Sequence, residues 1–388
     1  MTDTSVKFFH SNMQSSPTLT NAAGSLIGIL DACLVNGFGS LTASSAVVSA
    51  GKLVLTFASA HSFQKYAVAR ISGITDAGYT ALNGDFKVDT VISATSISIV
   101  VTGYSDATLT STVTALMAPL GWTKLYTDTN RAVYQSSDAT SSLMTFMFND
   151  TATMYTAVRG YESASSASAG TGPFPTTSQQ SIWQWYKSVD STARGWSLFG
   201  DSKTVYFVCF PSSSYSSYSM AQGFGDFTPI VSSDAYRAFI GATNYTDSAN
   251  NPWAQYTSIG TADPSYSGPW APRSYNTLPN VPVRLYNRWQ LYNYCSNDGG
   301  GCISGSPGTL PWPNPIDGGL MLADIYLLEG YNLRGRMRGV YATSQATGRT
   351  LAHGTIFPDV NGKAYIYMWN TGNNSGGGIF FDITGPWT

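Results

Sequence analysis

In three short runs between Lys52 and Val101 apolar side chains recur at every second position, and no other feature limits so sharply what this chain can fold into. "KLVLTFA" sets Leu53, Leu55 and Phe57 on one side, and "SISIVVT" does the same with Ile97, Ile99 and Val101. "DFKVDTVI" alternates through Phe86 and Val88. A period of two belongs to a strand that buries one face. Asn83-Gly84 has the chemistry of a type I′ hairpin turn, because both residues tolerate positive φ. Residues 41–118 are therefore expected to form a small antiparallel β-barrel or sandwich.

The rest of the chain is organised around that unit. Residues 1–20 read as a polar arm without period. "LTNAAGSLIGILDACLVNGFG" follows as a short helix, with Leu26, Ile27, Leu30, Cys33 and Leu34 on one face, cap oxygens from Thr20 and Asn21, and Gly37 as its stop. The arm and helix make a first segment, 1–40. "MAPLGW" (117–122) marks the joint to a larger β-rich domain, 119–388. There "WSLFGDSKTVYFVCF" reads as a hairpin about "GDSK", "TIFPDVNGKAYIYMW" as a second about Asn361-Gly362, and "GGGIFFDI" as a closing strand. The long loops at 211–235, 243–282 and 295–319 are functional or interfacial in character. The fold class is mainly β: a small barrel or sandwich, a larger β-rich domain and one short N-terminal helix.

Only 11% of residues are charged, against roughly a quarter in an average soluble protein, and Ser, Thr, Asn, Tyr and Gly take their place. Such a neutral, hydrogen-bonding surface suits faces that pack on other chains. A net charge of −2 offers no general attraction to nucleic acid or to an anionic membrane. No stretch reaches the ~18 apolar residues of a spanning helix, and the N-terminus lacks an apolar signal core. A soluble protein made in a cytoplasm is expected, without membrane insertion or sequence-specific binding to nucleic acid.

Catalytic parts are scarce. His10, His61 and His353 are the three histidines, and each reads as a turn or surface residue. There is no GxSxG elbow, phosphate loop or HExxH motif. Asp150, Glu162, Asp226 and Asp382 could supply a carboxylate pair for glycoside cleavage, although the first three sit among turn residues. No cofactor or metal is expected. Cys33 and Cys209 lie in apolar runs and read as core, whereas Cys295 and Cys302 bracket "SNDGGG" and could form a disulfide or remain free thiols.

Two sets of residues are candidates for partner contact. Arg334, Arg336 and Arg338 alternate in "NLRGRMRGVY", so on a strand they share one face, either solvated or docking an acidic partner. The aromatic clusters Trp183, Trp185, Tyr186 and Tyr286, Trp289, Tyr292, Tyr294, with Trp253 and Tyr256, divide among core, protein interface and sugar stacking.

Several segments are more specific than composition. "ISGITDAGYTALNGDFKVDTVISATSISIVV" resembles a module of tailed-bacteriophage virion proteins. "GWTKLYTDTNRAVYQSSDATSSLMTFMFNDTAT", the "AVRGYES" corner, "GTGPFPT", "LRGRMRGVYA" and "FDITGPW" are similar to an uncharacterised family of phage structural proteins. The resemblance runs from about residue 20 to residue 388. It implies a non-enzymatic virion component of tail, baseplate or neck that assembles with copies of itself and other virion proteins. A receptor- or glycan-binding protein at the tail periphery and a capsid-surface decoration protein are the alternatives. The resemblance carries over no catalytic residue.

Overall fold

The computed structural model describes residues 3–210, 212, 219–243, 267–275, 281–288, 311–343, 345, 351–369 and 378–388. The chain is mainly β. Six antiparallel strands close into a barrel: Phe38–Ser49 pairs with Lys52–Phe57, then Ser96–Val100, Gly84–Ser93, Val68–Ser72 and Thr114–Met117 follow around, the last returning to Phe38–Ser49. Closure removes the exposed edges of an open sheet. Leu53, Leu55, Val88, Ile97 and Ile99 are all buried, as the period of two requires.

The Asn83-Gly84 turn is not a hairpin. Strand Val68–Ser72 reaches Gly84–Ser93 through a loop containing a 3-10 turn at Thr80–Leu82, and Asn83 has an extended backbone with φ −76°. Its side chain bridges that loop instead, accepting from the Ile74 amide at 2.9 Å and donating to the Ile74 and Thr80 carbonyls at 2.8 Å each. Asn361-Gly362 does form the expected tight turn, with φ values of 53° and 76° between Val360 and Lys363. Gly200 and Val205 likewise pair across "GDSK".

The N-terminal arm is part of the larger sheet. Lys7–His10 is a strand paired antiparallel with Trp196–Gly200, and Val6, Phe8, Phe9, Met13 and Leu19 are buried. Four residues carrying two adjacent phenylalanines are too short to show a period, which hid the strand in the sequence. The short helix ends at Gly37 as expected but changes pitch on the way: Ser25–Leu30 is α-helical and Asp31–Asn36 continues as a π-helix. Its free amides are not capped by Thr20 or Asn21. Oδ2 of Asp150, distant in sequence, accepts from Leu26 N at 2.9 Å and Ile27 N at 3.4 Å.

Barrel and sheet share one continuous apolar core. Where they meet, Lys7 bonds Asp85 of the barrel at 2.7 Å and the Pro119 carbonyl at 2.5 Å. Asp85 also takes Arg70 Nε at 2.7 Å. Lys87 reaches from the barrel to the Thr384 carbonyl at 2.8 Å. Each buried ammonium is thereby hydrogen-bonded, as burial demands. Within the larger region Phe224 is an aromatic hub, its ring 5.2 Å from Trp122, 4.9 Å from Phe146, 5.3 Å from Phe148 and 5.9 Å from Trp185. The "FDITGPW" end is anchored by shape. An ideal Cβ on Gly339, whose φ is +66°, would lie 2.0 Å from the Trp387 ring, so only glycine lets Trp387 seat there.

Candidate functional site

The strand Asn332–Ala342 carries the three arginines, and the structure turns two of them inward. Arg334 is buried, with Nε 3.0 Å from Asp234 Oδ2 and NH2 3.3 Å from its other oxygen. NH1 reaches Glu329 Oε2 at 2.9 Å and the Arg273 carbonyl at 2.7 Å. Arg338 is buried against Asp201 at 2.7 Å and the Trp387 carbonyl at 2.8 Å. Arg336 is the partly exposed member, paired with Asp324 at 3.1 Å. The expected single stripe, solvated or docking, is therefore replaced by internal ion pairs. Register shifts against Ala323–Glu329 break the alternation that would have kept the three on one face.

The four carboxylates considered for glycoside chemistry are all engaged. Asp150 pairs with Lys187 at 2.5 Å, Glu162 with Arg273 at 2.6 Å and Asp382 with Lys363 at 2.5 Å. Asp226 accepts from the Ser142 amide at 2.8 Å and its hydroxyl at 2.5 Å. Burial pushes the Asp226 and Asp201 carboxyls above their ordinary range, outweighing the Ser142 and Arg237 contacts at Asp226 and the Arg338 contact at Asp201. A raised carboxyl is a mark of acid catalysts only where substrate can reach it, and both groups are buried. Glu162 also corrects the reading of "RGYES" as a corner: Arg159 to Ser163 lie inside the strand Tyr155–Ala164.

Of the aromatic candidates, Trp185 and Tyr186 are core, not partner contacts, and Trp185 Nε1 donates to the Gly241 carbonyl. Their strand, Gln184–Tyr186, is covered on both faces. Trp183 is half-buried with the Arg159 guanidinium 3.2 Å above its ring, so one face is already occupied. Trp289, Tyr292, Tyr294, Trp253 and Tyr256 lie outside the described residues, as do Cys295 and Cys302, and so does the side chain of Tyr286. Cys33 and Cys209 are buried free thiols, and burial pushes the Cys209 thiol up to about 12. His10 and His353 are not surface residues of the ordinary kind. Burial takes both imidazoles down to about 4, with the neighbouring charge of His353 adding to the effect at His10.

Among the described residues, a concavity lies beside the arginine strand. A cleft of about 170 Å³ is lined by Ile230, Val231, Tyr275, Glu329, Asn332, Leu333 and Arg334. Ile230 is 55% exposed and Leu333 49%. Glu329 forms the polar floor, accepting from Arg334, the Ser274 hydroxyl and the Tyr275 amide. Three donors thus hold this carboxylate in one orientation. The cleft can hold an apolar or aromatic group against a rigid ion pair, which is recognition chemistry. Among the described residues no cluster of three or more His, Cys, Asp or Glu could hold a metal ion, and no helix is long and apolar enough to cross a membrane.

Sequence reasoning missed Ile230, Val231, Tyr275 and Leu333. The signal available was an apolar pair inside the turn-like run "TPIVSSD", where exposed aliphatics are out of place. Asp234, which orients Arg334, carried no such mark. No protein-family model matches the chain, and no curated protein matches it.

Proposed function

We propose that the protein is a non-enzymatic structural component of a tailed-bacteriophage virion, in the tail, baseplate or neck. In this reading it assembles through contacts with copies of itself and with other virion proteins. The observation that carries the reading is where charge and apolar surface are placed. The candidate acids and two of the three strand arginines are committed to internal contacts, while Ile230, Val231, Tyr275 and Leu333 stand exposed around one cleft. Contiguous exposed apolar groups mark interaction surfaces. The barrel, fastened to the sheet through Lys7, Asp85 and Lys87, fits a part that transmits shape. Mass spectrometry of purified, fractionated virions tests this: the chain is expected at constant stoichiometry, and its absence from particles refutes the assignment.

One observation favours a second reading, a receptor- or glycan-binding protein at the tail periphery. The cleft sets Tyr275, 45% exposed, beside the polar Asn332 and Glu329, a pairing of ring face and hydrogen-bonding groups that suits a sugar. Recombinant protein would then compete with phage adsorption, and Tyr275→Ala would abolish the competition. Unimpaired adsorption at saturating protein removes this reading and leaves the first standing.

A further inference from the structure

Lys187 and Asp150 stand apart from every other ion pair described here. Both side chains are 0% exposed, and Nζ lies 2.5 Å from Oδ1. The surroundings are those of a condensation site. Leu26 N and Ile27 N both donate to Oδ2, at 2.9 and 3.4 Å, where negative charge would grow if Cγ became tetrahedral. Thr156 Oγ1 donates to Oδ1 at 2.7 Å, and the Ala22 carbonyl accepts from Nζ at 2.8 Å, fixing the nitrogen's direction. Two ions in a dry site carry a desolvation cost that neutralisation relieves, and reactants held in contact gain the advantage of an intramolecular reaction.

We propose that Lys187 and Asp150 condense into an intramolecular isopeptide bond. The ammonium passes one proton to Oδ1, leaving an amine and a carboxylic acid. The nitrogen lone pair forms the bond to Cγ, and the electron pair pushed onto Oδ2 is held by the Leu26 and Ile27 amides. A second proton passes from nitrogen to the Oδ1 hydroxyl, which Thr156 Oγ1 already holds in place at 2.7 Å. The Cγ–Oδ1 bond then breaks, Oδ2 recovers its double bond, and one water leaves. Carboxylate and ammonium become amide and water, with no oxidant, metal or cofactor consumed. The crosslink ties the end of Thr145–Asn149 to the residue following Gln184–Tyr186, across the intervening strand Tyr155–Ala164 to which both are paired. It would lock three strands and the helix start with one covalent bond.

Intact mass of the purified full chain, measured after denaturation, is the test, with tryptic mapping of the same sample. The expected result is a chain lighter than its sequence by one water, and a branched peptide joining the segments that hold Asp150 and Lys187, with cleavage after Lys187 lost. Lys363 and Asp382 are an internal control, equally close at 2.5 Å but with Lys363 open to water at 34%, and no branched peptide is expected there. Lys187→Met should restore the full sequence mass. Because that variant removes one partner of a buried pair and could fail to fold, the decision rests on the unaltered chain. Full mass with normal cleavage after Lys187 overturns the proposal, and so does loss of one water without the branched peptide.

Discussion

The barrel and the large sheet are both antiparallel β-structure, yet their strands are buried in opposite ways. Lys52–Phe57 alternates between buried and accessible residues, whereas every residue of Trp196–Gly200, Thr204–Cys209 and Met220–Asp226 is buried. A barrel wall has water on one side. The central strands of the large sheet are covered on both, so their sequence has no period to display. Polar groups there must find partners inside the protein. Thr204 Oγ1 donates to the Asp226 carbonyl at 2.6 Å, and Tyr206 Oη to the Arg338 carbonyl at 2.9 Å. Arg334 and Arg338, the two buried arginines, meet the same demand with carboxylate partners.

The comparison breaks most visibly at the ion pairs. Arg334→Met would strand Asp234 in the interior, and loss of one partner of a buried pair costs about 3–5 kcal/mol. Lys52→Met in the barrel removes a pair whose lysine is 46% exposed, and such pairs contribute about 0–1 kcal/mol. Denaturant unfolding of the two variants should separate them by at least a factor of three in lost stability. Equal losses would mean that the Arg334 network is open to solvent.

Core truncation sharpens the contrast from the apolar side. Phe224→Ala should cost about 3–5 kcal/mol, because four aromatic rings lose their common neighbour and cannot close the cavity. Ile99→Val, deep in the barrel, should cost about 0.5–1.5 kcal/mol. Both changes lower the unfolding midpoint, the first far more. The exposed variant Val100→Thr is a control expected to leave the midpoint within about 0.5 kcal/mol.

Acid separates the regions by pH. His10 and His353 belong to the large sheet, and both are held at about 4 by burial. His353 Nδ1 accepts the Trp369 amide at 3.2 Å, a bond that a proton would abolish. From pH 6.5 down to 4 the unfolded chain therefore takes up protons that the folded chain refuses. Stability is complete above pH 6.5 and falls as pH drops towards 4, by the order of 3 kcal/mol for each imidazole. At the barrel junction burial pushes Asp85 upward, but Arg70 and Lys7 outweigh it and hold the carboxyl below its ordinary range. Its contribution survives the histidine window and is lost only at lower pH. Unfolding midpoints across this range should drop first through the histidines, and His10→Gln with His353→Gln should flatten that step. A slope unchanged in the double variant would assign the acid loss elsewhere.

What the sequence disclosed follows the same division. The barrel wall, the 361–362 turn, the "GDSK" hairpin and the Gly37 stop were legible because each depends on neighbours in the chain. The inward arginines, the Asp150 cap of a helix 124 residues away and the buried strand at Lys7–His10 were not. Each is decided by a partner that only the fold brings near. The cleft was illegible for a related reason: Ile230 and Val231 come from one turn and Leu333 from another hairpin, and neither segment alone describes a concavity.

The two Asn-Gly pairs reduce this lesson to its smallest measurable form, since identical dipeptides were read alike and fold differently. Asn361 occupies a left-handed position with φ 53° at an exposed turn. Glycine enters that conformation freely, so Asn361→Gly should change stability by less than about 0.5 kcal/mol. Asn83 is extended, and its value lies in the side chain that clasps Ile74 and Thr80. Asn83→Gly removes all three bonds and leaves the Ile74 amide and carbonyl to find water, at a cost of about 1–3 kcal/mol. Hydrogen exchange at the Ile74 amide should accelerate in that variant and stay unchanged in Asn361→Gly. If the two substitutions cost the same, the turn chemistry common to both dipeptides, and not the clasp, is what stabilises the barrel loop.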